Sequence, residues 1–140
     1  MKTLKVLSVL LCYPQPEMQA ALAEMATALA QENRLPESTR RALQALINQM
    51  QCADLMDLQE SYIGLFDRGR ALSLHLFEHL HGQSRDRGQA MVDLLETYRR
   101  HGFELSAREL PDYLPLFLEY LAQRPADEAL SLLTDAMPVI

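Results

Sequence analysis

Apolar residues recur at helical spacing along almost the whole of this 140-residue chain. They stand at positions i, i+3, i+4 and i+7, and no segment alternates apolar and polar residues as a half-buried strand would. Met18, Leu22, Met25 and Leu29 form one such stripe. The periodicity therefore predicts an all-α protein.

Prolines, glycines and polar residues divide this pattern into about seven to eight helices. The fourth begins near Asp54 and stops near Asp67, and a fifth is expected over 71–81. The seventh is expected to begin at Asp112, whose side chain would cap it. Because no repeat or linker interrupts the chain, we expect residues 1–140 to form a single-domain helical bundle with short connections.

Composition excludes several classes of partner. The net charge of −6 would repel a phosphate backbone, so we expect no nucleic acid and favour a basic or arginine-bearing peptide.

Cys12 and Cys52 have no C-x-x-C spacing, which suits inert thiols in a reducing compartment. The N-terminal segment lacks a signal cleavage site, and no apolar run reaches the roughly 18 residues that span a bilayer. We expect a cytoplasmic protein without membrane insertion.

One motif suggests metal chemistry. The run from His75 to His79 matches H-x-x-E-H, which on a helix would place both histidines on one face with Glu78 available as a base. A third protein ligand is missing, and His81 lies on a different face. The sequence also lacks a G-x-S-x-G elbow and a phosphate-binding loop. A metal-dependent hydrolase is therefore a remote alternative, and we expect neither a bound metal nor an enzyme.

Aromatic and charged residues near the turns between helices suggest a binding surface instead. Tyr62 and Phe66 precede Asp67, and Tyr113 follows Asp112. Charged residues in turns are usually only solvated. Aromatic walls with an acidic edge nevertheless suit an amphipathic helix or an arginine-containing peptide.

Three longer segments carry a family resemblance. They are FDRGRALSLHLFEH (66–79), SRDRGQAMVDLL (84–95) and ELPDYLPLFLEYLA (109–122). They resemble the assembly chaperones of respiratory nitrate reductase, the NarJ/NarW type, a branch of the redox-enzyme maturation chaperones. The resemblance covers nearly the whole chain and is densest between residues 62 and 122.

Membership in this family implies an all-helical cytoplasmic chaperone that binds the N-terminal peptide of the catalytic subunit of nitrate reductase. It would keep the apo-enzyme competent for insertion of the molybdopterin guanine dinucleotide cofactor and an iron–sulfur cluster before membrane docking. The chaperone itself would hold no cofactor stably. The alternative is a helical protein-interaction or regulatory bundle without a role in cofactor insertion.

The resemblance also implies a peptide groove. The family's Y-x-x-L-F element matches residues 62–66, and its P-D-H-like element matches Pro111 and Asp112, with Tyr113 where relatives often have His. A tyrosine can still stack and donate a hydrogen bond. Aromatic anchors would supply affinity, while carboxylates would select a basic peptide. The expected peptide-binding residues are Tyr62, Phe66, Asp67, Pro111, Asp112, Tyr113 and Glu119.

Chain length departs from the family pattern. Family members usually continue for several more helices, whereas this sequence stops at Ile140, so the resemblance raises the expectation of a C-terminally truncated chain. Truncation would leave apolar faces of the early helices without partners. We therefore also expect self-association into a homo-oligomer.

Overall fold

The computed structural model describes residues 1–68, 72–80, 85–106 and 108–137. Within these ranges the chain forms eight α-helices and no strand, which confirms the predicted all-α bundle. None of these helices is both long and apolar enough to span a membrane. They are α1 (Lys2–Leu10), α2 (Pro16–Glu32), α3 (Glu37–Cys52), α4 (Leu55–Tyr62), α5 (Leu76–Leu80), α6 (Arg85–Arg100), α7 (Leu114–Ala122) and α8 (Ala126–Ala136).

The first helix lies between two hydrophobic clusters. Leu4 belongs to one cluster, together with the buried Tyr98 and Leu121 of the later helices. Val6 belongs to the other, which α2 and α3 complete with residues such as Leu22. Accordingly, α1 packs against both α7 and α2. Apolar side chains on both sides of α1 are thus removed from water, which makes this short helix central to the bundle.

The fifth helix is shorter than its sequence pattern predicted. It begins at Leu76, whereas we expected a helix over 71–81, both ends of which lie outside the described residues. The carbonyl of Leu74 accepts a hydrogen bond from the N–H of Leu114 at 2.7 Å, and the N–H of Leu76 donates to the carbonyl of Asp112 at 3.0 Å. These long-range bonds satisfy backbone groups that a helix would otherwise pair, so tertiary structure overrides the helical pattern.

The start of the seventh helix also differs from the prediction. α7 begins at Leu114, with Tyr113 in the N-cap position, so the prediction that Asp112 caps this helix is wrong. An isolated antiparallel bridge between His75 and Tyr113 keeps the residues before α7 extended. Asp112 is fully buried, and its side chain faces α5 instead.

Part of the apolar surface of α1 borders an open cleft. The cleft has a volume of about 310 Å³, lies between α1, α3, α7 and α8, and is lined by leucines and Met137. Leu46, one of the lining leucines, is 43% exposed. Self-association through exposed apolar surface stays a prediction.

The start of α1 is capped by a carboxylate from another helix. Glu32, the last residue of α2, accepts hydrogen bonds from the backbone N–H groups of Lys2 at 2.7 Å and Thr3 at 2.9 Å. Burial opposes ionisation of this carboxyl, but the hydrogen bonds from Thr3 and Lys2 outweigh it and lower the pKa of Glu32 to about 2. A negative charge is also favoured at the positive end of the helix dipole. Glu32 therefore ties α1 to α2.

We predict that Glu32→Gln lowers the free energy of unfolding by about 1 kcal/mol at neutral pH, as loss of a helix cap usually does. Since the folded-state pKa is depressed, the stabilisation is present above the unfolded-state value of 4.5 and is lost as the pH falls towards about 2. Urea unfolding at several pH values measures both effects. Glu24→Gln, an exposed position on the same helix, is the control. Equal stability of the two variants would contradict the capping role.

Candidate functional site

An open pocket lies where four parts of the chain meet. It has a volume of about 310 Å³ and lies at the C-terminal side of α1, the end of α4, the segment before α5 and the start of α7. Aromatic rings and polar side chains together form its wall. The lining residues are Tyr13, Tyr62, Phe66, Asp67, Ser73, Leu74, His75 and Tyr113.

A change of helix type shapes one wall of the pocket. α4 continues directly into a π-helical turn over Ile63–Asp67, which carries Phe66 and Asp67. The ring of Tyr62, just before this turn, lies 4.9 Å from that of Phe66 and 5.6 Å from that of Tyr13, nearly perpendicular to the latter. Such ring pairs add to the stability of a cluster beyond the area they bury. π-helical turns occur frequently at functional sites.

Two tyrosine hydroxyl groups join the pocket walls. The hydroxyl of Tyr62 donates to the carbonyl of Leu11 at 2.9 Å and lies 3.2 Å from the hydroxyl of Tyr113. Burial raises the pKa of Tyr62, and the carboxylates of Asp67 and Glu109 raise it further. Burial, together with the hydrogen bond to Tyr62, also raises the pKa of Tyr113. Both side chains are therefore neutral phenols near neutral pH.

A buried carboxylate holds the wall that contains His75. Asp112 has no exposed surface, and its Oδ2 accepts a hydrogen bond from the N–H of Phe77 at 2.9 Å. Its Oδ1 lies 3.3 Å from Nδ1 of His75, which donates to it. The hydrogen bond to Asp112 raises the pKa of His75, although burial opposes this. Because a buried charge is costly without partners, these bonds give Asp112 a structural role.

Comparison with known protein families identifies the family to which the chain belongs. Residues 14–137 match the family model described as the nitrate reductase delta subunit. The chain belongs to this family. The family resemblance that the sequence showed is thereby confirmed.

Named relatives agree with the family assignment. The chain is 50% identical over 137 residues to the Escherichia coli K12 protein named nitrate reductase molybdenum cofactor assembly chaperone NarJ, covering 98% of this chain and 58% of the relative. It is 45% identical over 142 residues to the probable chaperone NarW of the same organism, covering all of this chain and 58% of the relative. It is also 35% identical to the probable NarJ of Bacillus subtilis, covering 92% of this chain and 69% of the relative. The chain thus spans little more than half the length of the two Escherichia coli relatives.

The structure brings together part of the peptide groove expected from the family resemblance. Pro111 and Asp112 are buried behind the pocket rather than exposed in it. The expectation that Asp112 presents an exposed carboxylate to a peptide is therefore wrong, because both of its carboxylate oxygens are buried and hydrogen-bonded within the protein, to His75 and Phe77. The members of the expected set that line the pocket are Tyr62, Phe66, Asp67 and Tyr113. Their role in peptide binding stays a prediction.

Glu119 is separated from the pocket. It lies on α7, and its carboxylate forms an ion pair with Lys5 of α1 at 2.7 Å. It is not among the lining residues. An exposed ion pair of this kind contributes at most about 1 kcal/mol to stability. Local sequence patterns could not predict this pairing, because the two residues are 114 positions apart.

The H-x-x-E-H motif does not form the helix face on which the metal hypothesis depended. His75 precedes α5 and its Nδ1 faces Asp112, whereas Nε2 of His79 lies 2.9 Å from the carbonyl of Ser73 and donates to it. The predicted i, i+4 arrangement on one helix is therefore wrong. Among the described residues, no group of three or more His, Cys, Asp or Glu side chains is placed to hold a metal ion.

Half of the pocket lining was not predicted as site residues. Tyr13, Ser73 and Leu74 had no motif that singled them out, and His75 was considered only as a metal ligand. The bridge between His75 and Tyr113 joins residues 38 positions apart, so local periodicity could not predict it. The one usable signal was the density of the family resemblance around residues 66–79.

We predict that Asp112→Asn destabilises the fold by about 1–3 kcal/mol, since an amide cannot accept from both His75 and Phe77 and leaves a buried donor unpaired. Chemical unfolding measures the difference. Glu109→Gln, which neutralises an exposed carboxylate three residues away, is the matched control. A stability equal to that of the control would show that the buried hydrogen bonds contribute little.

The pKa of His75 provides a second test of the same contact. We predict that it lies above the ordinary value of 6.5 and falls in Asp112→Asn, because the favourable partner of the imidazolium is lost. The His75 contribution to stability is thus fully present below pH 6.5 and disappears as the pH rises through the folded-state pKa. NMR titration of the imidazole protons measures the shift. An identical titration in the variant and in the parent would contradict the assignment.

Proposed function

We propose that this chain is a cytoplasmic maturation chaperone of respiratory nitrate reductase. It binds the N-terminal peptide of the catalytic subunit and keeps the apo-enzyme competent for insertion of the molybdopterin guanine dinucleotide cofactor and an iron–sulfur cluster. Membership in the nitrate reductase delta subunit family supports the choice of client. The names of the two Escherichia coli relatives support the chaperone role.

The observation that carries the proposal is the aromatic pocket. At about 310 Å³ it falls at the small end of the range for ligand sites, which suits one or two peptide side chains better than a large dinucleotide cofactor. Rings from three separate parts of the chain line it, and buried aromatic contacts commonly supply most of the energy of a protein interface. The pocket thus supports peptide binding without stable binding of the cofactor.

Exposed apolar residues next to the pocket in sequence extend this surface. Leu65 precedes Phe66 and Leu72 precedes Ser73, and each leucine is 52% exposed. Exposed apolar side chains beside a polar pocket are typical of protein interaction sites. An amphipathic peptide helix can place its apolar face on such leucines while one side chain enters the pocket.

The contacts of the polar residues favour binding over catalysis. The His75–Asp112 pair resembles a base with its orienting carboxylate, but no hydroxyl or thiol of the described residues is hydrogen-bonded to the other ring nitrogen of His75. The Ser73 hydroxyl oxygen instead accepts a hydrogen bond from the backbone N–H of His75 at 3.2 Å. A nucleophile in hydrogen-bond contact with its base is the usual signature of covalent catalysis. Differential binding of the client peptide is a sufficient mechanism.

We predict that Phe66→Ala weakens binding of a synthetic peptide matching the N-terminus of the nitrate reductase catalytic subunit about thirtyfold. The reason is that truncating an aromatic anchor typically costs about 2 kcal/mol. Isothermal titration calorimetry measures the change. Met56→Ala is the matched control, because Met56 lies on α4, which continues into the π-helical turn that carries Phe66, but is 68% exposed and does not line the pocket.

Circular dichroism establishes that Phe66→Ala is folded, and Phe66→Leu, which keeps apolar volume, should lie between the parent and the alanine variant in affinity. Folded variants that bind the peptide as tightly as the parent would place the peptide site elsewhere.

The molybdenum content of nitrate reductase, measured in cells in which this chain is the sole chaperone for the enzyme, tests the maturation role. Peptide binding without any effect on molybdenum content would favour the alternative of a regulatory interaction bundle.

A further inference from the structure

A buried tyrosine of α6 contacts the segment that precedes α7. Tyr98 has no exposed surface, and its hydroxyl donates a hydrogen bond to the carbonyl of Pro111 at 2.8 Å. Burial raises the pKa of Tyr98, as do the nearby Tyr120 and Asp112, so the side chain is a neutral phenol that can donate its proton. Tyr98 does not line the pocket. The contact therefore lies behind the pocket wall.

The peptide group that carries this carbonyl leads into Asp112. The ring of Pro111 fixes its φ at about −65°, so the direction of its carbonyl is set by ψ alone. A hydrogen bond to the carbonyl thus restrains the one backbone torsion that Pro111 leaves free. Because the peptide group is planar, the same torsion determines where the chain places the Cα atom of Asp112. Tyr98 and Asp112 are thereby connected through a single rigid group.

Asp112 needs a defined orientation to make its own contacts. Its two carboxylate oxygens accept from different donors, the N–H of Phe77 at 2.9 Å and Nδ1 of His75 at 3.3 Å. Its backbone carbonyl accepts from the N–H of Leu76 at 3.0 Å. Hydrogen bonds weaken steeply as they lengthen and bend. A rotation of the peptide group before Asp112 would therefore weaken the contact with His75 first, because it is the longest of the three.

The ring of Tyr98 is itself fixed by packing. It lies 4.7 Å from the ring of Tyr120 and 5.3 Å from that of Phe103, and all three rings belong to one buried cluster. The hydroxyl of Tyr120 has a different partner, since it lies 2.7 Å from Nδ1 of His101. The cluster thus contains two neighbouring buried tyrosines, of which Tyr98 is the one bonded to the segment before α7.

We propose that Tyr98 is a positioning residue of the pocket. Its hydroxyl fixes the carbonyl of Pro111 and with it the orientation of Asp112, which holds the wall formed by His75 and Tyr113. The core around α6 thereby sets the shape of the pocket without contacting a bound molecule. Loss of this one hydroxyl should change the pocket wall although every lining residue is retained.

The titration of His75 tests this assignment without any client. Tyr98→Phe removes the hydroxyl and keeps the ring, and we expect the raised pKa of His75 to fall by about half a pH unit, as partial loss of one hydrogen bond would cause. Tyr120→Phe removes a hydroxyl from the same cluster and should leave the His75 titration unchanged. NMR signals of the imidazole protons measure both. The proposal is overturned if Tyr98→Phe titrates like the parent or if Tyr120→Phe lowers the pKa equally.

Two further variants locate the route. Pro111→Ala keeps the carbonyl and Tyr98 but releases φ, so it should also lower the pKa of His75. This variant serves as the test if Tyr98→Phe does not fold. In an Asp112→Asn background, Tyr98→Phe should have no further effect on the His75 titration, because the group that transmits the effect is already lost. An effect of the same size in that background would show that Tyr98 acts by another route and would overturn the proposal.

The client peptide connects this inference to the proposed function, on which only this experiment rests. We expect Tyr98→Phe to bind the peptide about threefold to tenfold more weakly than the parent, and Tyr120→Phe to bind it equally well. If His75 shifts as expected but Tyr98→Phe keeps the parent's affinity, the positioning role stands and the peptide does not use this wall. If the parent does not bind the peptide, the choice of client fails while the His75 titration still decides the role of Tyr98.

Discussion

The packing of α1 against both α2 and α7 is the interaction on which the other features depend. Leu4 and Val6 bury their side chains in different clusters, so removal of this helix would open both. Polar contacts add direction to the packing: the hydroxyl of Ser8 donates to the carbonyl of Pro115, and Glu32 holds the first turn. Just after the helix, the carbonyl of Leu11 accepts the hydroxyl of Tyr62 and so connects the core to the pocket.

The buried carboxylate of Asp112 is the second organising element. Its backbone carbonyl and its side chain together accept from the N–H groups of Leu76 and Phe77 and from His75. A buried carboxylate is tolerated here because two of these donors, the N–H of Phe77 and Nδ1 of His75, are hydrogen-bonded to its oxygens. The pocket wall that contains His75 is therefore held in place by the hydrogen bonds of a buried residue. The acidic character of the pocket itself comes from Asp67.

Under the proposed function, these contacts only have to hold a binding surface in place. The rings of Tyr62, Phe66 and Tyr113 need only be held in place, and the hydrogen bonds from Tyr62 and around Asp112 do this without a catalytic group. A preformed pocket lowers the ordering cost of a flexible peptide.

The sequence alone was sufficient for the fold class and for several helices. The buried stripe of α2, which consists of Met18, Leu22, Met25 and Leu29, follows from apolar spacing. The dense resemblance over residues 62–122 indicated the family and four of the pocket residues. Tertiary structure decided the start of α5, the burial of Asp112, the separation of Glu119 and the presence of Tyr13 in the site. Helical periodicity reports only neighbours within a turn or two, whereas these features depend on hydrogen bonds and packing between residues tens of positions apart.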